Sequence, residues 1–410
     1  MISLQKIKDA SSLPSVLGLF RRKKEEKDFW FFPWVILLFV FLVSYLLFNR
    51  KPLNIINNVL LIILLICSAI RVIHKKLFVV NPTVAIFAYF GIWGFLASLI
   101  AGVFTYITLL HCALALAVYL NVSEESRDSK EALFQVVTYC FDIFAIAVLI
   151  YYLPSLKSGT IDRFGAFFGN QDYVAATLGL CVLFNLFFLA RKKYYAIFFI
   201  LLSSAMEMAT QTRMAFFIIF LSILGFLISK LWRKKGLLAL ILSVFLLLSI
   251  GLLCLPPFAG IRKRLVTMAV ALFRGELLLD DSMAQRLSVM LRSYQYGLSM
   301  PFFAFGYDAI VKYGITTTHD SFGQLAFCGG SIYSIVIHAY FFWKLFTLSK
   351  RSRRFHYLAL FALIDFTVNF FLGTPFYNRY FFIYMPLILS ISDDYPYGAS
   401  MPERTTKIKV

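Results

Sequence analysis

Gly236-LLALILSVFLLLSIGLLCLP-Pro257 carries no charged side chain over 22 residues, and Arg233-Lys234-Lys235 stands directly before it. A helix of that length rises about 33 Å, enough to cross a hydrocarbon layer of about 30 Å. Similar apolar runs, most of them flanked by Lys or Arg, recur along the whole chain. They predict helical spans at 29–48, 53–70, 83–101, 103–120, 132–153, 172–190, 194–209, 214–232, 236–257, 322–343, 356–374 and 376–392. The fold class that follows is an all-α polytopic membrane protein with about twelve transmembrane helices.

Composition agrees with this reading. Apolar residues make up 60% of the 410, charged residues only 15%, and the mean hydropathy is +0.79. A soluble chain of this size needs far more polar surface. The net charge of +19 sits mostly in short segments beside spans, where topology and anionic headgroups account for it without nucleic acid. The six cysteines lie singly, with no CxxC pair to suggest a metal site or a disulfide framework.

The loops set the orientation. With a cytoplasmic N-terminus, 27 of the 40 Lys and Arg fall on the inner side and 13 on the outer. Seven of those 13 belong to one long loop, 258–321, and long loops escape the charge rule. Both termini are therefore expected inside. Residues 1–28 form a cytoplasmic tail before an uncleaved anchor, 29–392 a single transmembrane catalytic domain, and 393–410 a second tail. The large extracytoplasmic loop lies between spans nine and ten. Within it Ser282 and Gln285 make a capping box, and an amphipathic helix follows. Its expected apolar face is Met283, Leu287, Met290, Leu291, Tyr294 and Leu298. Such a helix can lie on the membrane surface over the mouth of a bundle.

Several outer-side residues have chemistry to offer. His319, before span ten, titrates near operating pH and can take a proton from a hydroxyl; the plain alternative is a hydrogen bond to loop backbone. Arg213, in Thr210-Gln211-Thr212-Arg213, presents a fork of donors suited to phosphate oxygens, or it snorkels at a helix end. In the long loop, Arg264 and Arg292 read as solvated or substrate-facing, and Arg286 falls at the edge of the apolar face. Arg163 and Asn170 stand with Gly165 and Gly169 before span six, where glycines permit a tight turn. Arg379 occupies the last outer turn. Within the spans, Glu207, Asp142, Asp365, His111 and His338 must face the bundle interior. Glu207 is placed to pair with Arg213. Asp142 and Asp365 are either hydrogen-bonding partners or a proton path.

In order along the chain, these features resemble the O-antigen ligase and O-antigen polymerase superfamily. The resemblance rests on Arg163-Phe164-Gly165 through Asn170, on Thr210-Gln211-Thr212-Arg213, and on Asp281-Ser282 through Arg286. Pro301, Gly306-Tyr307, His319-Asp320 and Gly329-Gly330 complete the set. Asp320 stands where the family has Asn, Gln171-Asp172 where it has Pro-Asn, and Ala304 where it has glycine.

What the resemblance implies is a metal-independent, cofactor-free inverting glycosyltransferase at the outer face of the bacterial cytoplasmic membrane. Its donor is a glycan on undecaprenyl diphosphate and its acceptor a glycan or a lipid. Membrane lipids surround it, and a flippase and a chain-length regulator are implied companions. Arg213 and Arg286 would stabilise the diphosphate leaving group, and His319 would activate the acceptor hydroxyl. Arg163, Asn170, Asp320, Arg292, Arg264, Arg379 and Glu207 would contact substrate. Polymerisation of repeat units into an O-antigen, capsule or exopolysaccharide is the first expectation. Ligation of the finished glycan to lipid A-core or another acceptor is its sibling. A lipid or polysaccharide flippase, working through Asp142 and Asp365, is the rival of a different class.

Overall fold

The computed structural model describes residues 31–48, 54–78, 80–158, 168, 171–210, 212–231, 234–254, 281–307, 320–351, 356–373 and 375–393, with isolated positions between 262 and 270. Every regular element among them is helical. In chain order these are α1 (Phe31–Leu47), α2 (Asn54–Lys75), α3 (Pro82–Ile100), α4 (Ile107–Ser123) and α5 (Arg127–Ser158). Then come α6 (Gln171–Ala190), α7 (Tyr195–Thr210), α8 (Arg213–Leu231) and α9 (Lys235–Cys254). The last are α10 (Asp281–Ser299), α11 (Ser321–Gly329), α12 (Ser331–Arg351), α13 (His356–Leu372) and α14 (Phe381–Asp393).

Helices occupy all the apolar runs. Among the described residues, five are long and apolar enough to cross a membrane: Asn54–Lys75, Pro82–Ile100, Asp128–Pro154, Asp172–Ala190 and Ser331–Lys350. Six shorter apolar helices accompany them. Local signals fix the boundaries. Asn81 caps α3 by accepting from the Val84 N–H at 3.0 Å, and Pro82 follows at the first helical position.

α14 is apolar all round, and from Phe381 to Ile391 all of it is buried, as expected of a helix inside a bundle. α4, α5, α12 and α13 pack around it. Aromatic rings fill the seam between α12, α13 and α14, with Phe341, Phe366, Phe376 and Phe381 in mutual contact. α2, by contrast, turns Ile55, Val59, Ile62 and Ile66 outward. So apolar a surface suits lipid, not water.

Antiparallel neighbours give the bundle two ends. At the first, Tyr45 of α1, Ser98 of α3, Tyr173 of α6, the 306–307 segment and the 375–380 turn come together. At the second, Arg71 of α2 meets Asn121 and Glu125, and Lys130 reaches Ser390 of α14.

Two expectations need correction. The run 322–343 is not one helix. Gly330, at φ +97°, ends the short α11, and α12 begins at Ser331. A Cβ there would meet the Pro301 carbonyl at 2.5 Å, so only glycine fits this break. Segment 301–307 then serves the end of α11: Phe305 and Gly306 donate their N–H groups to the Phe327 and Cys328 carbonyls, meeting acceptors a helix end leaves open.

The second correction is to the amphipathic helix. α10 forms as expected, and of its expected apolar face Leu287, Met290 and Tyr294 are half-buried, but Leu291 and Leu298 are exposed, and among the described residues Ser293 and Gly297 are the buried ones. A Cβ on Gly297 would lie 2.6 Å from that of Ala326. Small residues mark close helix approach beside a membrane, where the outside can be as apolar as the inside, so polarity misplaced Leu291 and Leu298.

Candidate functional site

Three groups of polar residues lie at the first end of the bundle, around Asp320, Glu207 and Arg379. The first surrounds the start of α11. Asp320 is its N-cap, with φ −137° and ψ 146°, and its carboxylate accepts from the Gly323 N–H. A side chain at 323 would begin 2.5 Å from that carboxylate, so glycine keeps the cap in place. Burial pushes the Asp320 carboxyl up to about 6; the Gly323 N–H and the Tyr294 hydroxyl pull it the other way. Tyr294 in turn is raised to about 12, first by burial and then by Asp320.

Ser321 pairs with His338 across to α12, with Oγ and Nε2 2.9 Å apart. His338 Nδ1 lies 2.8 Å from the Ser334 carbonyl. A carbonyl only accepts, so Nδ1 carries the proton and, in the neutral ring, Ser321 donates to Nε2. The start of α11 is thereby locked to α12. One turn on, Gln324 is fully buried, and neither its Oε1 nor its Nε2 has a hydrogen-bond partner among the described residues.

The second group is the turn between α7 and α8. Thr210 donates to the Glu207 carbonyl at 2.7 Å and lies 2.9 Å from the Thr212 hydroxyl. Arg213 opens α8. Glu207 is 2% exposed, and neither carboxylate oxygen has a hydrogen-bond partner among the described residues.

The third group surrounds Arg379. Its Nη2 donates to Asn58 Oδ1 at 2.7 Å and its backbone N–H to the Tyr45 hydroxyl at 3.3 Å. Burial lowers its proton affinity, against the opposing influence of the Tyr45 and Tyr106 phenols. His111 stacks on Phe382 nearby, with ring centroids 4.5 Å apart.

Among the site residues expected from sequence, His319, Arg163, Asn170 and Arg264 lie outside the described residues, as do the side chains of Arg213 and Arg286. The Glu207–Arg213 pairing therefore lies outside them too. Arg292 is exposed on α10. Both α8 and α11 pack on α13, whereas Arg379 reaches α1 and α2. Sequence reasoning missed the Ser321–His338 pair and Gln324. Their 17-residue separation within one apolar run gives no sign that they meet until the break at Gly330 folds α11 back.

The two carboxylates of the transport reading, Asp365 and Asp142, have structural partners. Asp365 accepts from Tyr384 at 2.8 Å and from Asn369 at 3.0 Å. Asp142 accepts from Asn185 at 2.7 Å and from the Cys181 thiol at 3.3 Å. Among the described residues no three His, Cys, Asp or Glu side chains gather where a metal ion could sit. Compared with known proteins, the chain matches no family model, no curated sequence and no solved structure.

Proposed function

We propose that this chain crosses the bacterial cytoplasmic membrane about twelve times, with both termini inside. At the outer face it extends a glycan carried on undecaprenyl diphosphate, joining repeat units of a surface polysaccharide. One observation carries the reading. The Arg213 turn, the Asp320 cap beside His319 and the Arg379 turn, which are separate in sequence, all fall at one end of the helical bundle. Among the described residues, the buried polar atoms without hydrogen-bond partners include those of Glu207, Gln324 and His111 at that same end. Polar burial of this kind is costly and is expected where a polar substrate binds.

The chemistry assigned to each residue follows from its type. The guanidinium groups of Arg213 and Arg286 stabilise the diphosphate as it departs. His319 takes the proton of the attacking sugar hydroxyl, so that attack opposite the leaving group inverts the anomeric carbon. The Asp320 cap and the Ser321–His338 bond fix the backbone directly after His319. The rival transport reading places function on Asp142 and Asp365. The hydrogen bonds made by Asp365 to Tyr384 and Asn369 favour a packing role for it.

The test is extension of purified lipid-linked repeat units by extracted protein. Wild type gives a ladder of products. His319→Ala and Arg213→Ala each lower extension by about 100-fold or more, with protein still accumulating in the membrane. Arg213→Lys is also impaired, because a point charge does not replace a two-pronged donor. A single transfer to an added acceptor, without a ladder, would mean ligation. Ladders of wild-type length from both alanine variants would end the proposal.

A further inference from the structure

Arg379 is a half-buried cation for which the described residues supply no carboxylate. Arg71 and Arg191, at the other end of the bundle, each meet a glutamate at 2.7 Å. Among the described residues the Arg379 guanidinium meets only neutral groups, the Asn58 amide oxygen and the Tyr45 ring, whose centroid lies 5.6 Å from the guanidinium carbon, while the residue's backbone N–H donates to the Tyr45 hydroxyl. Its Nη1, shielded from solvent, has no hydrogen-bond partner among the described residues. A guanidinium does not escape the difficulty by losing its proton, so its charge and its spare donor call for an anion.

The surroundings indicate where that anion comes from. Asn58 is exposed on α2, on the same outward face as Ile55, Val59 and Ile62. Phe104 and Tyr106, in the turn before α4, are also exposed. Aromatic side chains collect in this way at the boundary between lipid and water. Arg379 therefore lies just inside a lipid-facing seam, level with the bundle end and reachable sideways from the bilayer.

We propose that Arg379, with Asn58 and Tyr45, forms a binding site for the phosphate ester of a lipid headgroup, entered laterally between α2 and the 101–106 turn. Nη1 donates to a phosphate oxygen, and Nη2, oriented by Asn58, presents the second prong of the fork. The acyl chains lie along the exposed isoleucines of α2. This site lies on helices other than those of Arg213 and His319. It does not rest on the glycosyltransferase reading, and its occupancy is measurable without turnover.

Native mass spectrometry of the full-length protein, titrated with phosphatidylglycerol, tests it. Diacylglycerol, with the same tails but no phosphate, and inorganic phosphate serve as separate arms. Wild type retains a tightly bound phosphatidylglycerol and no diacylglycerol. Arg379→Gln weakens that retention about tenfold or more, as loss of a charge-assisted pair of bonds requires. Asn58→Ala, at an exposed position where folding is not at stake, weakens it by a smaller factor. Millimolar inorganic phosphate leaves the lipid in place. Equal retention by wild type and both variants, or equal binding of diacylglycerol, overturns the site. Displacement by inorganic phosphate overturns its assignment to lipid. None of these results depends on whether glycan extension is observed.

Discussion

At one end of the bundle Arg71 lies buried at 2% exposure, yet it is well met. Its Nη1 donates to the Asn121 carbonyl at 2.6 Å and to the Asn121 side chain at 3.0 Å, and its Nη2 to Glu125 at 2.7 Å. Lys130, fully buried nearby, donates to the Ser123 and Ser390 carbonyls, and Arg191 pairs with Glu131. At the other end, Glu207, Gln324 and Arg379 each keep buried polar atoms without partners among the described residues. Among the described residues, the chain thus gives Arg71, Lys130 and Arg191 partners where helices need only be held together, and gives Glu207 and Arg379 no opposite charge where the motif residues gather. Polar groups that serve packing find partners within the protein, and those that serve a ligand find them in the ligand.

The largest effect that would break this contrast is expected at Glu125. If the Arg71 pair is structural, Glu125→Ala strands a buried guanidinium and costs about 3–5 kcal/mol. Thermal unfolding in detergent should show a large loss of stability, with glycan extension per folded molecule unchanged. A cost below about 1 kcal/mol, the range of an exposed pair, would place Arg71 in the same class as Arg379.

A smaller effect is expected at Asp320, and it depends on pH. Burial raises its folded-state carboxyl to about 6 from the ordinary 3.8, so the native state favours the protonated form. The associated stability is complete below about pH 4, is lost as pH rises towards 6, and changes no further above that. A shift of this size corresponds to roughly 3 kcal/mol across that window. Asp320→Asn keeps an acceptor for the Gly323 N–H but has no charge to gain. Its stability should be flat from pH 4 to 7, where wild type declines. Parallel curves for the two proteins would show that the carboxylate finds its counter-charge on folding.

How much of this was legible in sequence varied with the physics behind each feature. Helix positions followed directly from runs such as 236–257, because hydrocarbon leaves a chain no other way to satisfy its backbone. The inward placement of Asp142, Asp365, His111 and His338 followed from the cost of charge in lipid, and all four are buried. The break at Gly330 was hidden, since apolar residues continue through it and only the approach of Pro301, 29 positions earlier, requires the glycine. On α10, Leu291 and Leu298 were misjudged because they are as much at home against lipid as against protein. Nothing local marks Arg71, since its partner Glu125 is 54 residues away. Pairings across such separations belong to the packing of helices, and no local pattern records them.

The smallest effect sharpens the comparison most. Glu207 sits at the motif-bearing end, 2% exposed, with both oxygens lacking a hydrogen-bond partner among the described residues. Replacing a buried, unmet carboxylate with its neutral isostere removes a desolvation cost and breaks no bond. Glu207→Gln should therefore leave stability within about 1 kcal/mol of wild type, on the stabilising side. If Glu207 instead pairs with Arg213, the same substitution strands the arginine and lowers stability by several kcal/mol, as at Glu125. Unfolding curves for Glu207→Gln, Arg213→Gln and the double variant separate the two cases. Additive changes leave Glu207 without a protein partner, whereas a coupling above about 1 kcal/mol would mean that this end, too, neutralises its own charges.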